Sequence, residues 1–427
     1  MTPTASTFER GAAVPVRSDY GWLVLLVAAA AMVGTLPGRS QGLGLITEPL
    51  LADLGLGRVR YAELNFWATI LGASGAVGIG QVLDRFGSRI VLTSVALLLG
   101  LVVTAMSRAE SATELAVWLT ATRALGQSAL SVVSIAIVGH WFVRKIDAAM
   151  AVYSVVMSVG FMLAFPLVGS LVQSWGWRGA WLAVGVALLA GLTPLAWAVV
   201  RRGPEACGLE PDGQAAPPGG TATETSPLTG YRWREAVTTP AFWVFAAGTA
   251  LYGLVASGVG LFNESILAQR GFGPDIYYRS LVVTAITGLA GNFAGGWLAA
   301  RVPLGRLMAV PLFVLTAGLL ALPFLATELQ VMAWASTMGL GGGLVMVLFF
   351  SVWPRVFGRL HLGRIQGSAQ AVTVLASAVG PLLLAWCVEI TGSYTAMFVT
   401  LAAVIALIGG AALVVSMPPP KQAAPGH

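Results

Sequence analysis

The chain is poor in most of what an enzyme in water needs. Only 10% of its 427 residues are charged, where a soluble domain carries about 25%. There are two cysteines, Cys207 and Cys387, and three histidines, His140, His361 and His427. Two cysteines make no disulfide framework, and none of the five stands at metal-ligand spacing. No metal or cofactor is therefore expected. No Ser-His-Asp or Cys-His arrangement emerges, which argues against catalysis. The glycine run "GLGGG" at 339–343 lacks the Lys-Ser/Thr of a phosphate loop; its small residues suit close helix packing. Lysine occurs twice, at Lys145 and Lys421, against 22 arginines. With abundant Ala and Gly, that bias suggests a GC-rich bacterial genome. No signal peptide is visible, because the first twenty residues are polar and the first apolar block is too long for one.

What is present is apolar sequence, 57% of the chain. It comes in twelve blocks, at about 21–48, 62–83, 89–107, 114–142, 147–173, 179–200, 240–267, 279–300, 304–326, 329–353, 365–389 and 393–416. Each is near the ~20 residues that cross a bilayer as a helix. Helices are expected because lipid supplies no partner for a free backbone group. With the N-terminus inside, the inner segments carry sixteen basic residues and the outer ones six. That asymmetry places both termini in the cytoplasm, and it accounts for the net charge of +6 without nucleic-acid binding.

One long polar stretch interrupts the pattern. Residues 201–238 contain "PDGQAAPPGGTATETS" at 211–226, a flexible linker by composition. It sets a six-helix bundle at 21–200 against a second at 239–416, with tails at 1–20 and 417–427. The halves echo each other. "GQVLDRFGSR" starts at Gly80 and "GWLAARVPLGR" at Gly296; Pro166 and Pro381 recur within similar surroundings at nearly the same offset. Repeats about a central linker point to a transporter of two pseudo-symmetric bundles, with its site between them near mid-membrane.

Gly80, Asp84, Arg85, Gly87 and Arg89 match G-x-x-x-D-R-x-G-x-R. With six-plus-six helices, the chain resembles the major facilitator superfamily over nearly its whole length. "DYGW" at 19–22 and "WFVRKIDAAMAVYSVVMSVG" at 141–160 are similar to signatures of its monocarboxylate transporter group, and "RRGPEACGLEPDG" at 201–213 and "GRLHLGRIQG" at 358–367 look like bacterial members. The resemblance implies an all-α membrane protein of twelve transmembrane helices, working by alternating access in a cell inner membrane. The expected cargo is a small organic anion. Protons or a counter-anion are possible coupling partners.

Arg39 lies deep in the first block, in "TLPGRSQGLG". A charge at mid-membrane costs about 2.5–3.5 kcal/mol on insertion scales, so it must face a cavity or a partner. The resemblance implies that a basic residue here meets the substrate carboxylate, and a guanidinium can do so with two parallel bonds. The competing reading is a structural arginine paired with Glu48 or Glu264. Arg123 is the other deep cation. It is read as a second substrate contact or, as the resemblance implies, as an arginine bonded to helix 1 carbonyls. In helix 8 the resemblance calls for an Asp and an Arg one turn apart. Anchored on Gly296, those positions fall on Gly288 and Asn292, which cannot ionise. Asn292 can still donate a hydrogen bond, but uniport, exchange or coupling through another residue stay open. Glu264 is the best remaining proton carrier, with a gate salt bridge as its alternative. Tyr252 and Asn263 are expected to line the cavity, unless they serve helix packing. Asp84, Arg85, Arg89 and Arg144 are read as a cytoplasmic gate that makes and breaks. Two rival functions remain: efflux of drugs or neutral metabolites with Arg39 structural, and a non-transporting membrane sensor.

Overall fold

The computed structural model describes residues 19–74, 79–143, 145–207, 209, 212, 230–299, 301–358 and 361–419. Among them the chain is helical throughout, and one isolated bridge, Gly230 to Gly358, is the extended pairing present.

Helix 1 is broken into three pieces: α1 (Tyr20–Val33), α2 (Ser40–Gly44) and α3 (Thr47–Leu54). A second crossing is made by α4 (Arg58–Ser74) and α5 (Ile79–Phe86), and a third by α6 (Ser88–Met106). The fourth runs through α7 (Ala112–Thr122), a π-helical segment at Arg123–Leu130, and α8 (Ser131–Trp141). Next, α9 (Ile146–Val186) continues through a π-helical segment into α10 (Thr193–Val199). After the short α11 (Trp233–Val237) come α12 (Pro240–Ala268), α13 (Pro274–Ala299), α14 (Leu304–Ala321), α15 (Glu328–Phe357), α16 (Leu362–Thr391) and α17 (Thr395–Val414).

Ten helical stretches are long and apolar enough to cross a membrane. One of them, Ala148–Val199, has 52 residues. At 1.5 Å per residue it is about 78 Å long, more than twice a ~30 Å hydrocarbon core. It turns at Gly176, whose φ of 70° and ψ of 172° leave the helical region. It therefore serves as two crossings. The α4–α5 stretch supplies another, so the helices are consistent with twelve.

Local chemistry sets the ends. Ser111 accepts from the Glu114 N–H to start α7. Thr239 accepts from Phe242 N–H ahead of Pro240 to start α12. Thr327 and Gln330 cap each other's backbone at the start of α15. Gly392, at φ 73°, closes α16 in the left-handed region. The outer faces carry large exposed apolar side chains, among them Trp67, Leu163 and Leu407, as a lipid-facing surface requires.

The helices before residue 200 meet those after 240 along three lines: α4 on α16, α9 on α13, and α2 on α12. Among the described residues, hydrogen bonds join the sets at Ser40 to Ser257, 2.9 Å, and at Gln173 to Asp275, 3.2 Å. The closest approach is at Gly44, where any Cβ would fall against the Gly260 carbonyl, 2.1 Å away. These contacts lie from mid-depth to the face opposite the chain termini. At the termini face Tyr20 bonds to the Val199 carbonyl and Trp233 to Ser368 at 2.9 Å, each within its own set.

Candidate functional site

The break in helix 1 builds the site. Pro37 removes a backbone donor, and Leu36–Gly38 tightens into a 3₁₀ turn. Arg39 then takes an extended conformation, φ −96° and ψ 150°, before α2 begins. The turn can pack against helix 4 only because position 38 is glycine. A Cβ there would lie 2.7 Å from both the Gln127 nitrogen and the Thr122 carbonyl oxygen. The partner surface is itself irregular, the π-helical segment headed by Arg123. Such segments concentrate at functional positions.

Arg39 reaches back along its own helix. Its Nε donates to Thr35 Oγ1 at 2.7 Å, and its Nη2 contacts Met32 Sδ at 2.9 Å and Ser131 Oγ at 3.4 Å. The guanidinium carbon lies 5.5 Å from the Phe161 ring centre. Nη1 carries no hydrogen bond among the described residues. Nor does any described carboxylate form an ion pair with Arg39. Glu48 pairs with Arg58 at 2.6 Å instead, and Glu264 keeps a buried Oε2 without a partner. The expected alternative pairing of Arg39 with Glu48 or Glu264 is not formed here.

This cation faces a cavity of about 520 Å³ between the two sets of helices, at mid-depth. Arg39 and Gln41 line it from helix 1, Phe161 and Phe165 from α9, Tyr252 from α12, and Asn292 from α13. Arg39 is the one charged residue among the described lining. Asn292 brings a buried Oδ1 that has no hydrogen-bond donor. Tyr252 stands over Gly342, where a Cβ would collide with its hydroxyl.

Arg123 belongs elsewhere. It is 2% exposed and does not line the cavity. Its Nη1 donates to the Gly38 carbonyl at 3.2 Å, to Ser40 Oγ at 3.2 Å and to Gln127 Oε1 at 2.7 Å. Its Nη2 donates to Ser40 Oγ at 3.2 Å and to Asn65 Oδ1 at 3.0 Å. The two arginines thus bracket the break from opposite sides. Arg123 is tied to neutral acceptors on helices 1, 2 and 4, while Arg39 keeps free donor capacity toward the cavity.

The other expected residues divide as well. Asn263 and Glu264 sit just after a kink at Phe262, φ −113° and ψ 16°. Neither lines the cavity. Glu264 has Glu48, Tyr277 and Tyr278 as its titratable neighbours. It thus lies where α12 and α13 meet the end of helix 1. At the termini face, Arg89 donates to the Trp197 carbonyl at 2.8 Å and lies 4.0 Å over the Trp197 ring. Arg85 lies over Phe86 at 5.4 Å. Both contacts are within the first set. The Asp84 side chain and Arg144 lie outside the described residues.

Sequence reasoning missed Gln41, Phe161, Phe165 and Gln370 as lining and Ser257 as the partner of Ser40. Phe161 and Phe165 stand one turn apart and stack at 5.7 Å, a spacing visible in the sequence but common to any buried helix face. Nothing in the sequence marked the others.

Three comparisons bear on this geometry. The profile of the Major Facilitator Superfamily matches residues 22–359. Monocarboxylate transporter 11 of Mus musculus is 29% identical over 405 residues, covering 90% of this chain and 85% of that protein. Monocarboxylate transporter 13 of Rattus norvegicus is 25% identical over 418 residues, covering 95% and 90%. Among solved structures, a bacterial homologue of the human lysosomal transporter Spinster, inward-facing and occupied, superposes with a TM-score of 0.70 at 15% identity, over 93% of this chain and 98% of that one. The last likeness is one of fold.

Proposed function

The chain belongs to the Major Facilitator Superfamily, and from that premise we propose that it carries a small organic anion, a monocarboxylate, across the membrane by alternating access, with Arg39 holding the carboxylate. Membership in a transporter family, and relatives named as monocarboxylate transporters, make it a membrane transporter and not an enzyme. The observation that carries the finer reading is the unpaired guanidinium at the mid-depth cavity between the two sets of helices.

A cation at mid-membrane depth with no counter-ion is costly. An anionic ligand relieves that cost and gains charge-assisted bonds of about 1.5–3 kcal/mol each. Nη1 is free to give one, and the 3.4 Å contact from Nη2 to Ser131 is long enough to yield another. Asn292 Oδ1, without a donor, can accept from a hydroxyl or amide on the cargo. Arg123 then holds the broken helix in place without touching the cargo.

The places where the sets touch support the alternating-access reading. They are joined from mid-depth to the face away from the termini, so this is the state in which the cavity communicates with the termini face. The positive-inside pattern makes that face cytoplasmic and the membrane, for a bacterial chain, the inner one. Rocking of the sets separates Gly44 from Gly260 and Ser40 from Ser257, and brings the termini ends together. The α5–α6 turn at Gly87, flanked by Asp84, Arg85 and Arg89, is the gate on that side, with Arg144. Glu264 sits at the opposite gate, beside Glu48 and between elements that part in the other state. It is the group placed to couple a proton to the motion.

The test is uptake of labelled monocarboxylates into proteoliposomes, for wild type and for Arg39→Ala and Arg39→Lys. Saturable wild-type uptake should fall by roughly 150- to 25,000-fold in Arg39→Ala, the equivalent of about 3–6 kcal/mol for two charge-assisted bonds. Arg39→Lys should recover part of it, since one ammonium cannot make the parallel pair. Undiminished uptake by a folded Arg39→Ala protein would remove Arg39 from the site. Transport of neutral compounds alone, with no carboxylate moved, would support the efflux reading.

A further inference from the structure

We infer that the preferred cargo is a monocarboxylate with an aromatic or similarly bulky apolar body, carried in place of a three-carbon acid. The inference rests on the reading above that Arg39 holds a carboxylate.

Charge comes first. Arg39 is the single ionisable lining residue bearing charge among those described, and no carboxylate opposes it. One fixed positive charge in a site of low dielectric matches one negative charge. A dianion would bring a second charge with no partner, at a desolvation penalty the site does not offset.

Size and lining come next. The cavity, about 520 Å³, lies within the roughly 300–1,000 Å³ range of sites that take drug-sized ligands. A three-carbon acid would leave most of it to water. Phe161 lies against the Arg39 guanidinium, Phe165 stacks on Phe161 at an interplanar angle of 22°, and Phe349 lines the cavity from α15. Rings in a cargo gain from such neighbours beyond simple burial. Polar groups are set among these rings, Gln41 and Ser158 on the first set of helices and Tyr252 and the donor-less Asn292 Oδ1 on the second. The arrangement suits an anion whose charged head meets Arg39 and whose apolar body fills the space toward α13 and α15.

Gly288 gives a direct handle. It lines the cavity, and a Cβ there would meet its nearest atom, the Gly339 carbonyl oxygen, at 3.5 Å, an ordinary contact. By contrast, a Cβ at Gly339 or Gly343 would drive into backbone or a threonine hydroxyl. A methyl group at 288 therefore takes space from the cargo without prising α13 from α15.

The experiment measures uptake of labelled pyruvate, phenylpyruvate and phenylsuccinate in proteoliposomes, with protein-free liposomes as the control for partitioning. Wild type, Gly288→Ala and Gly288→Leu are compared, with size-exclusion profiles reporting folding. The expected result is a KM for phenylpyruvate at least tenfold below that for pyruvate, the gain of burying one ring, and no uptake of the dianion. Gly288→Leu should lower phenylpyruvate kcat/KM at least tenfold more than it lowers that of pyruvate, with Gly288→Ala between. If Gly288→Leu fails to fold, the wild-type ranking and Gly288→Ala still decide. Pyruvate carried as well as or better than phenylpyruvate overturns this inference and leaves the carboxylate reading intact. Neither monocarboxylate carried by folded wild type overturns both.

Discussion

Replacing Arg123 by alanine should damage the fold before it damages the site. Arg123 places five hydrogen bonds on Gly38 O, Ser40 Oγ, Gln127 Oε1 and Asn65 Oδ1. Ser40 retains Ser257 when the guanidinium goes. Gly38 O, Gln127 Oε1 and Asn65 Oδ1 are left without a donor in a buried setting, at about 1–3 kcal/mol each. Against this, a cation with no described counter-ion leaves a place where its burial was costly by several kcal/mol. The difference is a net loss of about 2–4 kcal/mol. The assay is thermal unfolding in detergent, with cargo binding measured below the transition. The expected result is a clearly lowered midpoint and binding within a few-fold of wild type in the fraction still folded. Arg39→Ala should do the reverse, because Thr35 Oγ1 keeps its bond to the Met32 carbonyl and Ser131 Oγ its bond to the Gly126 carbonyl when the guanidinium goes. An Arg123→Ala protein with an unchanged midpoint and binding lost by a hundredfold would refute the division of roles between the two arginines.

Two further perturbations probe the gates. Gly44→Val places a side chain where the Gly260 carbonyl stands, so the sets should separate on that face; a cysteine placed at Ser257, in a background without Cys207 and Cys387, should then react faster with a membrane-impermeant thiol reagent, and an unchanged rate would mean the two helices part for other reasons. Glu264→Gln fixes the neutral form of the one carboxyl placed for coupling, so it should abolish acceleration of uptake by a proton gradient while leaving counterflow exchange. A full gradient response in that variant would move coupling to another group, with Glu48 and Tyr277 the next to test.

The order of helices was legible because lipid enforces it. Every crossing needs about 20 apolar residues whatever it packs against, so block boundaries followed from composition alone. The fusion of two crossings through Gly176 and the early start of α13 at Pro274 escaped, since helices extend past the membrane into residues that are no longer apolar. The break at Arg39 was legible too, from Pro37 and the glycines about it. What could not be read was direction. Arg39 and Arg123 were both visible as deep cations at similar depth, but a one-dimensional pattern does not say which face of helix 1 each reaches. The cavity wall was hidden for the same reason. Phe161, Phe349 and Gln370 come from three helices, and nothing local marks a phenylalanine that faces another set of helices from one that faces lipid.

The break also explains why two cations are affordable where one would be expensive. A continuous helix 1 would have satisfied its own carbonyls and presented none to a neighbour. By leaving regular geometry over Leu36–Arg39, it frees the Gly38 carbonyl, and Arg123 takes it. The irregular turn and the buried arginine thus satisfy each other, as non-helical backbone at membrane depth must be satisfied within the protein. Because Arg123 already fills that need from one side, the guanidinium of Arg39 is not required to repair its own backbone. Its bonds go to side chains of Thr35, Met32 and Ser131, which hold it in position and leave Nη1 open. One arginine neutralises the defect that the other uses, and of the two it is Arg39 that lines the cavity an anion can enter and leave.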